Sequence, residues 1–321
     1  MTSSVPRAEP PTVADAIEVG AAKAKRGANK QVRRAPWLLL APFMVLFLLT
    51  FVLPILAAIG SSFTKVTRKG VFGELGVETT FAGFSNYTQA FADGTLAKSL
   101  GRMLLFGVVQ VPVMIVLCTV LALMLESASA RWPGFFRAVY FMPYGVPGVI
   151  ATILWSFLYV PGLSPLVGLF DKLGVQIDFL GEGTVLWSIA NIVTWTYTGY
   201  NMMIIVAQLK SIPGDIYEAA RVDGASTWRI ARTIQLPLIR PALVLTTVFS
   251  IIGTLQLFAE AQLLQSFAPS ITNTYTPNLA AYTTAFAYND YNVAAAQSVI
   301  IALIAFVLSF VFLTLTSRRQ R

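Results

Sequence analysis

Six long stretches of this chain carry almost no ionisable side chain. Trp37–Gly60, Met103–Leu125, Ala138–Val160, Thr184–Leu209 and Val293–Thr316 contain no Asp, Glu, Lys or Arg, and Ala242–Leu264 contains only Glu260, near its end. A hydrocarbon layer about 30 Å thick is crossed by ~20 helical residues. Lipid offers no hydrogen bonds, so each backbone N–H and C=O must be satisfied inside the segment. The chain therefore reads as an all-α integral membrane protein with six transmembrane helices. Pro42, Pro54, Pro112, Pro143 and Pro147 fall within these runs. Neighbouring helices can satisfy the carbonyls that proline frees, so the expectation is kinks rather than breaks.

Charge supports the same reading. Only 12% of residues are charged, against roughly 25% in soluble domains, and the mean hydropathy is +0.68. A net charge of +8 would suggest nucleic acid in a soluble protein, but here Lys and Arg follow the membrane. With the N-terminus inside, 17 fall in the inner segments 1–36, 126–137, 210–241 and 317–321, and 6 fall in the outer segments. Excess Lys and Arg mark the cytoplasmic side, so both termini are expected there. The basic tail (Lys23, Lys25, Arg26, Lys30, Arg33, Arg34) reads as a topological anchor, with no nucleic-acid partner implied. The first long apolar run starts at Trp37 and is too long for the core of a cleavable signal.

The expected organisation has four parts: a basic tail (1–36), a first helix with a long outer loop (37–93), a core (94–317) and a short tail (318–321). The aromatic residues Phe72, Phe81, Phe84 and Tyr87 imply local packing within outer loop 61–102. Histidine is absent and Cys118 is the single cysteine. His-based catalysis, His/Cys metal sites and intramolecular disulfides are thereby excluded. No G-x-x-x-x-G-K-[ST] loop occurs, so no phosphate-cradling loop of that kind is present.

The inner segment 210–241 is too structured in composition for a simple connection. Pro213 fits a helix's first turn, and Asp215 with Glu218 resembles a capping box. Gly224 can take the left-handed conformation that ends a helix, Ser226 or Thr227 can cap a second helix through Ile234, and Pro237 and Pro241 mark the return to the membrane. Two short helices joined by a glycine bend have two readings: a rigid knob moved by a partner, or an amphipathic surface hairpin without one.

Glu218-Ala219-Ala220, then Gly224, then Ile234-x-Leu236-Pro237 resembles the EAA motif of permease subunits of ATP-binding-cassette (ABC) importers. Ile212-Pro213, Tyr217 and Val222-Asp223-Gly224-Ala225 are similar to the carbohydrate-uptake branch, which contains the maltose-type and glycerol-phosphate-type permeases. Phe136-Arg137 with Phe141-Met142-Pro143, and Leu257-Phe258-Ala259-Glu260 with Thr274 and Ala285-Phe286, resemble the family more loosely.

The resemblance implies a type I importer permease fold. Glu218, Ala219, Ala220, Arg221, Asp223, Gly224, Ile234, Leu236 and Pro237 would then form the element that docks on a cytoplasmic ATPase. It implies as partners a second permease, two ATPase subunits and an extracytoplasmic solute-binding protein, all at a bacterial inner membrane. This chain would bind no cofactor, because ATP and Mg²⁺ would be used by the ATPase subunits.

An importer also needs a polar path through the bundle. Asn191, Thr194, Thr198 and Asn201 share one helical face, and Ser250, Gly253, Gln256 and Glu260 follow similar spacing on the fifth span. These groups could bind hydroxyls, with Trp195, Tyr197 or Tyr200 against a sugar ring. Taken singly, such residues read as glue between helices at about 1 kcal/mol each; taken as a stripe, they read as a cavity wall. For Glu260 the expectation is a structural pair, with Arg102 as the basic residue flanking the same end, or a water-exposed position.

The leading functional expectation is a sugar-importer permease. The alternatives are a permease for another small polar solute such as a polyol phosphate, a self-sufficient secondary transporter, and a membrane enzyme. The absence of an internal repeat and of clustered ionisable residues inside the spans weighs against the secondary transporter. An enzyme would need a concentrated polar constellation that the sequence lacks.

Overall fold

A computed structural model of the chain describes residues 36–68, 77–127 and 129–318. The basic tail before Pro36, Phe72 and the last three residues lie outside the described residues. The chain divides into two units, 1–58 and 59–321.

The first helix, α1 (Pro36–Ser62), runs uninterrupted past Pro42 and Pro54. Phe43, Phe47 and Phe51 form an exposed ladder on it, with ring centroids 6.0 and 5.6 Å apart. Pro54 is absorbed by a widened π-turn at Leu48–Val52. Such turns arise where an α-helix accommodates a residue that breaks its hydrogen-bond ladder.

The segment after α1 packs locally, as its aromatic residues imply. Strands β1 (Thr64–Arg68) and β2 (Val77–Phe81) form an antiparallel ribbon, followed by the short helix α2 (Ser85–Phe91). Asn86 Nδ2 donates to the carbonyls of Ser62 and Thr64, both at 2.8 Å. Asn292 Nδ2, far along the chain, donates to the Ser61 carbonyl at 2.9 Å. Buried Asn86 thus ties the ribbon's base to α2, and half-buried Asn292 ties it to the start of the last helix.

The helical core begins with α3 (Thr95–Leu125), which starts eight residues before the expected span and carries Pro112 without breaking. The expected third span is broken, not kinked. Helix α4 (Pro133–Gly145) and helix α5 (Gly148–Tyr159) meet at 95°. Pro147 forces the preceding Val146 into an extended conformation, with φ −81° and ψ 125°, and that one residue ends the helix.

After α6 (Pro165–Lys172) comes α7 (Val185–Lys210), close to its expected bounds. Helices α8 (Gly214–Val222) and α9 (Thr227–Leu238) follow, and α9 bends by 64° into α10 (Arg240–Leu255). The expected fifth span is interrupted at Gln256–Phe258 before α11 (Ala259–Leu264). The chain finishes with α12 (Pro277–Phe286) and α13 (Tyr291–Arg318).

Among the described residues, three helices (α1, α3, α13) are long and apolar enough to cross a membrane, and up to five spans result if each bent pair counts as one. Helix α7 has the length, with 26 residues, but its Asn, Thr and Tyr residues lower its hydropathy.

Two apolar clusters occupy opposite ends of this bundle. One contains Met103 and Phe106 of α3, Val185 and Ile189 of α7, and Leu255 of α10. The other contains Cys118, Ala122 and Leu125 of α3, Met202 and Leu209 of α7, and Ala242 of α10. Helices α3 and α7 therefore run parallel, and α10 runs against them. Gln110 of α3, Thr194 and Thr198 of α7 and Ser250 of α10 lie between the clusters along their helices.

Candidate functional site

The helix pair α8–α9 forms an elbow beside the second cluster. Its bend is a Schellman cap: Gly224 takes φ +74°, its N–H donates to the Arg221 carbonyl at 3.0 Å, and the Ala225 N–H donates to the Ala220 carbonyl at 2.9 Å. Ser226 Oγ caps α9 by accepting the Arg229 N–H at 3.3 Å. The expected capping box at Asp215 is not formed. Helix α8 starts two residues earlier, with Pro213 at its cap, so Asp215 lies inside the first turn and acts on the helix dipole instead.

The elbow's inner side is anchored by Ile212, Ile230, Ala231 and half-buried Tyr217, whose hydroxyl lies 3.5 Å from Gln235 Nε2. Its outer side is bare. Glu218, Ala219, Arg221, Asp223 and Gly224 are exposed, as are Val222 and Trp228, at 88% and 71%. Ala220, Ile234 and Leu236 are half-buried, and Pro237 is exposed. Between the elbow and the end of α3 is a hollow of about 800 Å³, lined among others by Arg221, Lys210, Trp228 and Glu126. Glu126 is ion-paired to Arg137.

A second cavity, of about 390 Å³, lies between the two apolar clusters. Helix α3 contributes Gln110 and Met114, α4 contributes Tyr144, and α7 contributes Val193, Tyr197, Tyr200 and Asn201. Phe249, Ser250, Gly253, Thr254, Gln256, Leu257 and Glu260 complete the wall. Tyr144 stacks on Tyr200 with centroids 4.6 Å apart and rings 20° from parallel, and meets Tyr197 edge-on at 6.1 Å. Asn201 Nδ2 donates to the Tyr197 carbonyl at 3.2 Å. Gln110 Nε2 donates to Thr194 Oγ1 at 3.3 Å.

The cavity divides the two polar stripes. Asn201, Ser250, Gly253, Gln256 and Glu260 meet in its wall. Thr194 and Thr198 lie behind it: Thr194 accepts from Gln110, and Thr198 Oγ1 donates to the Thr194 carbonyl at 2.5 Å. Asn191 belongs to a separate aromatic hollow, where its Nδ2 donates to Tyr159 Oη at 2.9 Å.

Arg102 does not pair with Glu260. Its Nη1 donates to the Tyr275 carbonyl at 2.7 Å, and its guanidinium sits 4.1 Å from the centre of the Tyr275 ring. Burial pushes the Tyr275 hydroxyl up, opposed by this cation. Gln110 and Tyr144 were missed from the sequence. A lone amide in the middle of the apolar run 103–125 was the available signal for Gln110, whereas Tyr144 reaches the cavity only because its span breaks.

The bundle depends on one close approach. Gly199 of α7 faces the Tyr140 backbone so tightly that a Cβ there would stand 1.8 Å from the Tyr140 carbonyl oxygen. This contact sets Tyr144, one turn along α4, against Tyr200.

Residues 114–321 match the family model described as the binding-protein-dependent transport system inner membrane component. The chain belongs to this family. The permease is 32% identical over 286 residues to the lactose transport system permease protein LacF of Rhizobium radiobacter, covering 85% of this chain and 91% of that protein. It is 29% identical to the arabinooligosaccharides transport system permease protein AraP of Bacillus subtilis, covering 88% of this chain and 89% of that one. Its fold matches a chain in the crystal structure of a bacterial alginate ABC transporter in complex with an alginate pentasaccharide-bound periplasmic protein. The TM-score is 0.77 at 19% identity, covering 91% of the permease and 98% of that chain.

Proposed function

We propose that the permease is one half of the membrane pathway of an ATP-driven sugar importer. In this reading it crosses the inner membrane six times: through α1, α3, the broken pair α4–α5, α7, the interrupted pair α10–α11, and α13. Both termini face the cytoplasm, in keeping with the Lys and Arg imbalance. A second permease, of a different sequence, completes the pathway, and a solute-binding protein delivers substrate from outside.

The elbow, with Glu218, Ala219, Ala220, Arg221, Asp223, Gly224, Ile234, Leu236 and Pro237, docks on a cytoplasmic ATPase that uses ATP and Mg²⁺. Its anchored inner side and bare outer side support this role, because a rigid element attached to α10 can pass a push into the cavity wall. Closure of the ATPase pair would then change the side to which the cavity opens.

The observation that carries the proposal is the mid-depth cavity. Amides, hydroxyls and stacked tyrosines converge around about 390 Å³ of open space, more than glue between helices requires, and ligand cavities fall at about 300–1,000 Å³. Tyrosine faces suit the C–H face of a sugar ring, and Asn201, Ser250 and Gln256 suit its hydroxyls.

The test is uptake of labelled disaccharides by the complete transporter in proteoliposomes. Uptake is expected to need nucleotide and binding protein. Asn201→Ala is expected to weaken half-saturation about tenfold, the value of one buried hydrogen bond. Uptake by this chain alone, without nucleotide, would refute the proposal.

A further inference from the structure

Glu260 is isolated among charges. Of the residues lining the mid-depth cavity, it alone is an acid or a base of the Asp, Glu, Lys or Arg kind. No Lys or Arg occurs anywhere in 241–317 or in 173–209. Lys210 ends α7 and Arg240 begins α10, both beside the opposite apolar cluster and outside the cavity wall, so α7, α10, α11, α12 and nearly all of α13 bring no cation to the cavity. Arg102, the basic residue that could have answered Glu260, is committed to Tyr275 by a hydrogen bond and a ring contact. Among the described residues, Glu260 has no ion-pair partner.

A carboxylate lining a cavity inside the bundle without a cation is costly, and such residues inside membrane proteins face cavities and mark solute paths. Its field is screened by salt much less inside the bundle than at an exposed surface, so it acts on whatever charge enters.

We propose that Glu260 sets the charge class of the transported saccharide, admitting neutral and amino sugars and rejecting saccharides that carry carboxylate, phosphate or sulfate. The inference rests on the reading that this cavity passes sugar. A second negative charge in the same cavity would lie a few ångströms from Glu260, where like charges repel strongly at low dielectric. An ammonium substituent would find its one counter-charge there. The apolar and aromatic wall and the amides Gln110, Asn201 and Gln256 leave neutral hydroxyls unaffected. The alginate importer that shares the fold is described as handling an acidic polysaccharide, so fold likeness and charge class are separate properties.

The test bypasses the binding protein, which could impose its own selection. Proteoliposomes carrying the complete transporter take up a labelled neutral disaccharide while competitors are placed on the nucleotide side, where they reach the cavity directly. The competitors are the neutral disaccharide itself, its uronate analogue and its amino analogue. The wild-type transporter is expected to be inhibited by the neutral and amino sugars, with the uronate at least about tenfold weaker. Glu260→Gln is expected to close the gap between uronate and neutral sugar by at least about tenfold, and Glu260→Asp is expected to preserve it.

Equal inhibition of the wild type by uronate and neutral sugar would overturn the inference. So would an unchanged ratio in Glu260→Gln. If Glu260→Gln fails to assemble, the wild-type and Glu260→Asp ratios still decide. Absence of any disaccharide uptake would instead defeat the sugar-importer reading, and this inference with it.

Discussion

Replacing Gly199 with alanine tests the packing that brings α4 and α7 together. The new Cβ would stand 1.8 Å from the Tyr140 carbonyl oxygen, 2.6 Å from its carbonyl carbon and 2.9 Å from the Phe141 Cα. Comfortable contact between heavy atoms begins near about 3.5 Å, so the helices must part by roughly 1.5 Å. All three obstacles are backbone, and no flexible side chain can move aside. The cost should therefore reach the upper end of the overpacking range, about 3 kcal/mol, or roughly 100-fold in the folded population.

A loss of that size corresponds to a fall of about 5–10 °C in apparent melting temperature. It can be read by heating the detergent-solubilised transporter and following the surviving peak in size-exclusion chromatography. Gly168→Ala is the matched control, because its Cβ would meet nothing within 4 Å. A helix-interior alanine there should be neutral or stabilising by about 0.5–1 kcal/mol. Parting α4 from α7 should also open the Tyr144–Tyr200 stack and lower uptake. If Gly199→Ala melted and transported like Gly168→Ala, the claim that this close approach organises the cavity would be wrong.

Two further outcomes are expected. Gly224→Asp places a side chain at φ +74°, a conformation costing about 1–2 kcal/mol. The permease should still insert and assemble, but ATP hydrolysis should no longer drive uptake; unchanged coupling would remove the elbow from the mechanism. At the start of α3, Asp93 Oδ1 accepts the Thr95 N–H at 2.9 Å and its hydroxyl at 2.8 Å, and these bonds hold its carboxyl below the usual carboxylate range. Their support is intact above that range and fades as pH falls through the lowered native value. Amide exchange in the first turn of α3, corrected for intrinsic rates, should rise there a few-fold in the wild type and show no such step in Asp93→Ala.

Most of the helices were legible because lipid imposes one demand, an unbroken apolar run, and the sequence states it directly. The elbow was legible for a different reason. Gly224 and Ser226 act on their own neighbours within a few residues, so their roles follow from local chemistry. Breaks were harder to read. Pro112, Pro143 and Pro147 look alike in sequence, yet α3 stays whole and the third span turns through 95°, where Val146 before Pro147 takes an extended conformation. Gly199 gave no warning, since its meaning lies in a backbone nearly sixty residues earlier. The polar stripes divided for a similar reason: helical spacing shows which residues share a face, but not which neighbour covers part of it.

The widened turn before Pro54 has a counterpart before Pro237, at Ala231–Gln235. In each, a Thr-x-x-Leu-Pro sequence places the proline where its ring would collide with the carbonyl four residues back, at Thr50 or Thr233. The surplus residue in such a turn offsets the helix faces before and after it by about 100°. The bare face of the elbow and the cavity wall on α10 therefore keep separate angular phases. A helical wheel drawn straight through residue 231 would misplace one or the other, and removing the surplus residue would swing Ser250 and Gln256 away from the space they now line.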